Sequence, residues 1–228
     1  RTVSHTWEDV IDDEIRRIAG NYETRQGFRE RPALLCIDNY NAVFGDRPEP
    51  VIEAMKRFPS TCGLAAWEAL KPTKRLMAAA RAAAIPVIHT TRDDLSHSGR
   101  SIVSATKRVR MDSDPAWDHA FFPELAPEGD ELVIRKTRAS AFFGTSLIAH
   151  LTQMDVNQLI VCGNSTSGCV RASVIEGFMH GFNVAVVEEC VFDRTWLSHK
   201  VNLFDMNCKY ADVIFLKEAL SYIQGLAR

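Results

Sequence analysis

Six short apolar runs recur along the chain, at Ala33–Asp38, Pro86–Thr90, Glu131–Arg135, Gln158–Cys162, Asn183–Glu188 and Asp212–Leu216. Most of their residues are apolar on both faces, the pattern of parallel strands covered by helices on either side. Longer segments with helical spacing lie between them, at Leu64–Ala83, Ser146–Gln153, Gly168–His180 and Ser198–Asn207, with a closing one at Lys217–Gly225. In the first of these, Leu76, Ala79, Ala80 and Ala83 keep one small apolar stripe. Such strand-then-helix repetition predicts an α/β fold, a Rossmann-like, doubly wound parallel sheet of six strands with helices on both faces. At 228 residues the chain suits one large domain, and 46% apolar against 25% charged residues is ordinary for a globular protein.

Two connections are longer than a compact α/β unit needs. Asn39–Gly63 carries Pro48, Pro50 and Pro59, and Thr91–Asp130 carries Trp117, Phe121 and Phe122. Loops of this length are functional or disordered. Aromatic side chains are poor choices for a solvated linker, so both connections read as walls or lids of a pocket. Residues 1–31 read as a helix and arm appended to a domain at 32–228, and as a candidate for packing on a neighbouring subunit.

The formal net charge is −2, spread rather than blocked, which argues against a general affinity for nucleic acid or anionic membrane. No apolar run has the length of a membrane span, and residues 1–20 alternate charged and apolar side chains without a secretory core. None of the six cysteines forms a CxxC pair or a finger-like cluster. Neither zinc nor a disulfide framework is implied, and a reducing cytoplasm fits this usage.

In open α/β sheets, ligands bind beyond the carboxyl ends of the strands. Three such ends carry reactive groups. ALLCID ends in Asp38, ELVIRK ends in Lys136, and QLIVCGNSTSGCVRAS turns through Gly163–Gly168 to place Cys169 at the start of a helix. Each has a plainer explanation alone: a turn cap for Asp38, a solvated charge for Lys136, a small buried residue for Cys169. Against the last, helix N-terminal amides favour a thiolate. In the common strand order 3-2-1-4-5-6 the third strand does not neighbour the first, so Lys136 must reach inward. GNSTSGCV has the spacing of the phosphate loop GxxxxGK[ST], but Cys169 and Val170 stand where lysine and a hydroxyl are needed. Nucleotide binding is therefore not implied. The backbone amides of such a turn can still stabilise an oxyanion.

The segments ALLCIDNYNAVF, VIRKTRASAFFGTSL, VCGNSTSGCVRAS and VFDR…NLFDMNCKYADV resemble the isochorismatase-like cysteine hydrolases, and within them most closely the N-carbamoylsarcosine amidases. The resemblance runs from Pro32 to the C-terminus. It implies a six-stranded parallel sheet and a catalytic set of Asp38, Lys136 and Cys169. It also implies a cis peptide between Asn164 and Ser165 and an oxyanion hole from the amides of Ser165 and Cys169. Arg194, in VFDR, matches an arginine that binds a substrate carboxylate; a surface pair with Asp193 is the plainer alternative. The implied reaction is C–N cleavage in a small N-carbamoyl acid through a covalent intermediate. Maleamate-like amides, biuret-like ureides and a non-catalytic binding module remain alternatives. No cofactor is implied. Nor is a metal, because NYNAVFGD follows Asp38 with no histidine before His89, whereas the metal-holding nicotinamidases of the superfamily have Asp-x-His there. The resemblance further implies a homo-oligomer, a tetramer, binding a small carboxylate-bearing substrate and no nucleic acid or membrane.

Overall fold

The computed structural model describes residues 4–22, 24–93 and 114–226; the part of the second long connection at 94–113, read above as pocket wall, lies outside them. Its strands are β1 (Pro32–Ile37), β2 (Val87–Arg92), β3 (Leu132–Lys136), β4 (Gln158–Asn164), β5 (Asn183–Phe192) and β6 (Asp212–Ile214). They form one sheet in the order β3-β2-β1-β4-β5-β6, with every neighbouring pair parallel. The winding direction reverses between β1 and β4, which opens a crevice beyond their carboxyl ends.

The helices are α1 (Asp13–Ala19), α2 (Asn41–Phe44), α3 (Val51–Ala54), α4 (Leu64–Ala82), α5 (Pro115–Asp118), α6 (Leu147–Gln153), α7 (Arg171–Met179), α8 (Trp196–Lys209) and α9 (Leu216–Leu226). β1 shows why a two-sided apolar run becomes a central strand. Leu34 and Cys36 enter one core with α4 and α9; Ala33, Leu35 and Ile37 enter the other with α6, α7 and α8. β1 and β4 approach closely at Gly163, whose φ is 109° and where a Cβ would lie 2.0 Å from the Ile37 carbonyl oxygen. Only glycine fits there.

β5 continues to Phe192, past the apolar run that ends at Glu188 in the sequence. Its register with β4 jumps from Val161↔Val186 to Gly163↔Val191, so β5 bulges around Glu188–Cys190, and β6 pairs only with its residues 185–187.

The two long connections pack on each other beyond β1. The Phe122 amide donates to the Asn39 carbonyl (3.0 Å), Tyr40 bridges Phe121, and the rings of Phe44 and Phe122 stack at 4.2 Å. The N-terminal arm packs on its own domain. Trp7 is buried in the second core, the amides of Gln26 and Gly27 donate to Asp212, and Phe28 stacks on Tyr222. Among the described residues, no helix is long and apolar enough to cross a membrane.

Candidate active site

Asp38, Lys136 and Cys169 meet beyond the carboxyl edge of the sheet. Lys136 Nζ lies 2.8 Å from Asp38 Oδ2, 3.4 Å from Cys169 Sγ and 3.2 Å from the Arg138 carbonyl oxygen. These partners use all of the ammonium's donors. Lysine, with its long stem, is suited to this place, because β2 stands between β3 and β1 and the side chain must cross it. The charged ends of Asp38 and Lys136 are each only 4% exposed, whereas Cys169 is partly open.

β2 contributes a residue that sequence reasoning missed. Thr90 Oγ1 receives the Asp38 amide at 3.0 Å and donates to Asp38 Oδ1 at 2.7 Å. Asp38 itself has φ 53°, a left-handed conformation that a non-glycine residue holds only when its surroundings enforce it. From β4, Asn164 Nδ2 donates to the Asp38 carbonyl oxygen at 2.6 Å. The next residue, Asn39, is buried with neither side-chain polar atom hydrogen-bonded among the described residues.

The electrostatics follow from burial and this proximity. Burial pushes the Cys169 thiol up, the Asp38 carboxylate adds to the shift, and nearby Lys136 only partly opposes it, leaving the thiol at about 12. Burial and the Asp38 carboxylate thus oppose the thiolate that a helix start would favour. Burial opposes the charge on Lys136, but Asp38 and then Cys169 outweigh it and raise its pKa, so it stays an ammonium. For coupled groups this close, titration belongs to the cluster rather than to one residue.

The nucleophile turn also differs from the expected helix at Gly168–His180. Thr166–Val170 is an irregular wide turn, with Gly168 at φ −112° and ψ −105°, and the regular helix starts at Arg171. Such single π-type turns recur at functional sites. The Asn164–Ser165 peptide is cis. Outside supports pin the turn: Asp193 Oδ2 accepts from the Ser167 amide (2.7 Å) and hydroxyl (2.6 Å), and His199 Nδ1 pairs with Thr166 Oγ1 (2.8 Å).

Arg194 follows β5. Its guanidinium hydrogen-bonds the Ser60 carbonyl oxygen, and its Nε is buried without a partner among the described residues. The pairing with Asp193 runs through the Arg194 backbone amide, at 2.8 Å, not through the guanidinium. Among the described residues, no group of three or more His, Cys, Asp or Glu side chains is placed to hold a metal ion.

The isochorismatase domain family matches residues 32–218 of the chain. Maleamate amidohydrolase of Pseudomonas putida is 35% identical over 216 residues, covering 91% of this chain and 94% of its own. N-carbamoylsarcosine amidase of an Arthrobacter species is 31% identical over 213 residues, covering 90% of this chain and 76% of its own. Among solved structures, a cysteine hydrolase from Pseudomonas syringae superposes with a TM-score of 0.71 at 19% identity, covering 86% of this chain and 93% of that one. At that identity the likeness concerns the fold.

Proposed function

The chain belongs to the isochorismatase family and is a hydrolase of amide C–N bonds, and from that premise we propose that Cys169 is its nucleophile, Asp38 its proton carrier and Lys136 the cation that holds the two in register. The observation that carries this reading is the Lys136 ammonium touching both the Asp38 carboxylate and the Cys169 sulfur. A thiol pushed up to about 12 needs a base at contact distance, and Asp38 is that base.

As Sγ bonds to the substrate carbonyl carbon, the thiol proton passes to Asp38 and the carbonyl oxygen takes the negative charge. The amides of Ser165 and Cys169 receive that oxyanion. The C–N bond then breaks, nitrogen departs with the proton from Asp38 as ammonia, and a thioester remains on Cys169. Water gives a proton to Asp38 as its oxygen adds to the same carbon. Cleavage of the C–S bond releases the acid, and the sulfur recovers the proton from Asp38. With an N-carbamoyl substrate the released acid is a carbamate, which loses carbon dioxide.

The substrate in this reading is a small acid ending in –CONH2, an N-carbamoyl acid. Arg194 supplies donors suited to its carboxylate, and the amide of Asn39, next to Asp38 and without a partner among the described residues, is available as a further donor and acceptor. A maleamate-like monoamide is the second reading, favoured by the Pseudomonas putida relative, which matches over more of its own length than the carbamoylsarcosine one does. Both substrates carry the same two groups. The test is ammonia release from N-carbamoylsarcosine, maleamate and biuret, with intact-mass detection of a Cys169 adduct. Turnover of an acid with an adduct supports the reading. Turnover that persists in Cys169→Ala overturns the nucleophile, and preference for biuret overturns the acid substrate.

A further inference from the structure

A cavity of about 410 Å3 lies on the other side of the nucleophile turn, and none of Asp38, Lys136 and Cys169 lines it. It exists because β5 outruns β6. Beyond Val187 the bulged strand is flanked by the first turns of α4 and the start of α8, and Ser4 and Thr6 of the arm close it with Phe215. Its volume is that of a small-molecule site.

The lining has one sign of charge. Glu68, Glu188, Glu189 and Asp193 line the cavity, and no described lysine or arginine does. Glu188 accepts from the Thr6 amide and pairs with His5. Glu189 accepts from the Leu216 amide, and Asp193 from Ser167 and the Arg194 amide. Glu68, on the rim, has no partner among the described residues. Backbone and hydroxyl donors therefore satisfy oxygens of Glu189 and Asp193 without neutralising them, whereas Glu188 is ion-paired with His5. The other walls are aliphatic, from Ala65, Ala69, Pro72 and Val191, and aromatic, from Phe192, Trp196 and Phe215.

Two further groups are left open to an occupant. Thr6 Oγ1 is buried with no hydrogen-bond partner among the described residues. His199, 5% exposed, spends Nδ1 on Thr166, and its Nε2 has no partner among the described residues. Carboxylates repel an anion, and a neutral apolar guest would desolvate them uncompensated. A cation among carboxylates and ring faces meets both needs.

The same walls hold the catalytic turn. Asp193 binds Ser167 and His199 binds Thr166, residues of the turn that carries Cys169. We propose that this cavity binds a small organic cation, an alkylammonium, and that Asp193 and His199 transmit its presence to Cys169. The proposal does not depend on which amide the enzyme hydrolyses.

Choline and its neutral isostere 3,3-dimethylbutan-1-ol are the probes, titrated by calorimetry against the full chain. Choline is expected to bind about tenfold more tightly than the isostere. Iodoacetamide alkylation of Cys169 is expected to change about twofold at saturating choline, a shift of a few tenths of a pKa unit at the thiol. The ratio of rates with and without choline should fall to one in Glu68→Gln, whose exposed side chain cannot unfold the protein, and in Trp196→Ala. Equal binding of the isostere overturns the cation site. So does choline binding that survives Trp196→Ala and is abolished by alkylated Cys169, which places it in the catalytic crevice. An alkylation rate indifferent to bound choline overturns the coupling. An oligomer that dissociates on Trp196→Ala makes the cavity a contact between copies and overturns the proposal.

Discussion

Thr90 holds Asp38 twice, taking its backbone amide at 3.0 Å and giving a hydroxyl proton to Oδ1 at 2.7 Å, from the strand that separates Asp38 from Lys136. The pair of bonds fixes a left-handed backbone and leaves Oδ2 turned to the ammonium. Thr90→Val keeps the shape and removes both bonds. Because a misplaced base costs rate more than binding, kcat should fall roughly 10- to 100-fold with KM little changed. Thr90→Ser should restore most of it. Steady-state kinetics of the three proteins check this; equal losses in Val and Ser variants would make Thr90 a packing residue only.

The Asp38 carboxylate has opposite effects on Cys169 reactivity and on turnover. It raises the thiol toward about 12, second only to burial, while serving as base. Asp38→Asn should therefore lower turnover by about 10³-fold or more, within the range for loss of general base catalysis. The same change should speed iodoacetamide alkylation of Cys169 at pH 7–8, because Lys136 is then left to favour the thiolate. In the native protein alkylation should keep rising with pH beyond 9. A plateau near neutrality would mean a resting ion pair and would contradict the raised thiol.

The six-stranded parallel sheet was readable from the alternation of two-sided apolar runs and helical segments, and its order is the common doubly wound one, in which Lys136 has to reach across β2. The reactive ends of β1, β3 and the β4 turn were equally readable, because polar residues stop apolar runs where the sheet ends. Thr90 was not, since a threonine at the end of a strand is an ordinary β-former and carries no local mark of its partner. The last residues of the wide turn, Gly168–Val170, read as helix in the sequence because the spacing of apolar residues does not separate one π turn from an α turn. β5 was cut short at Glu188 because its bulge puts charged residues mid-strand. The pull on the sulfur toward the protonated form was not legible either: a helix end acts within about a turn and weakly, whereas burial and an adjacent carboxylate act directly on the sulfur.

Stability at low pH should depend on one carboxylate away from the crevice. Glu131 receives two guanidinium bonds from Arg81, at 2.7 and 2.9 Å, the Glu128 amide at 2.9 Å, and a contact with His89 Nε2 at 2.8 Å. Burial opposes its ionisation, but these donors together hold it down at about 2. A depressed carboxylate contributes stability above its unfolded pKa, and the contribution is lost as pH falls from about 4.5 toward 2. The full effect is on the order of 3 kcal/mol. Glu131→Gln should be less stable at pH 7 and show a flatter loss between about pH 5 and 3 in urea titrations. Parallel curves for both proteins would remove Glu131 from the account.

The sharpest test of substrate class is Arg194. Its guanidinium commits one donor to the Ser60 carbonyl, which anchors the side chain between β5 and the first long connection, and its buried Nε has no acceptor among the described residues. A buried donor without a partner is costly, by about 1–3 kcal/mol, and a substrate carboxylate would supply the missing acceptor. Removing the guanidinium then strands the carboxylate in a desolvated site, a loss of roughly 2–5 kcal/mol. Arg194→Ala should therefore lower kcat/KM for acid substrates by at least about tenfold, the equivalent of about 1.4 kcal/mol. Arg194→Lys should recover only part, keeping the charge but not the planar fork. The matching neutral amide should be a poor substrate of the native enzyme and nearly indifferent to either change. If acid and neutral substrates are equally fast in native enzyme and Arg194→Ala, the carboxylate clamp is wrong. The carbamoyl-acid and maleamate-like readings would then yield to a neutral ureide, with Cys169, Asp38 and Lys136 unaffected.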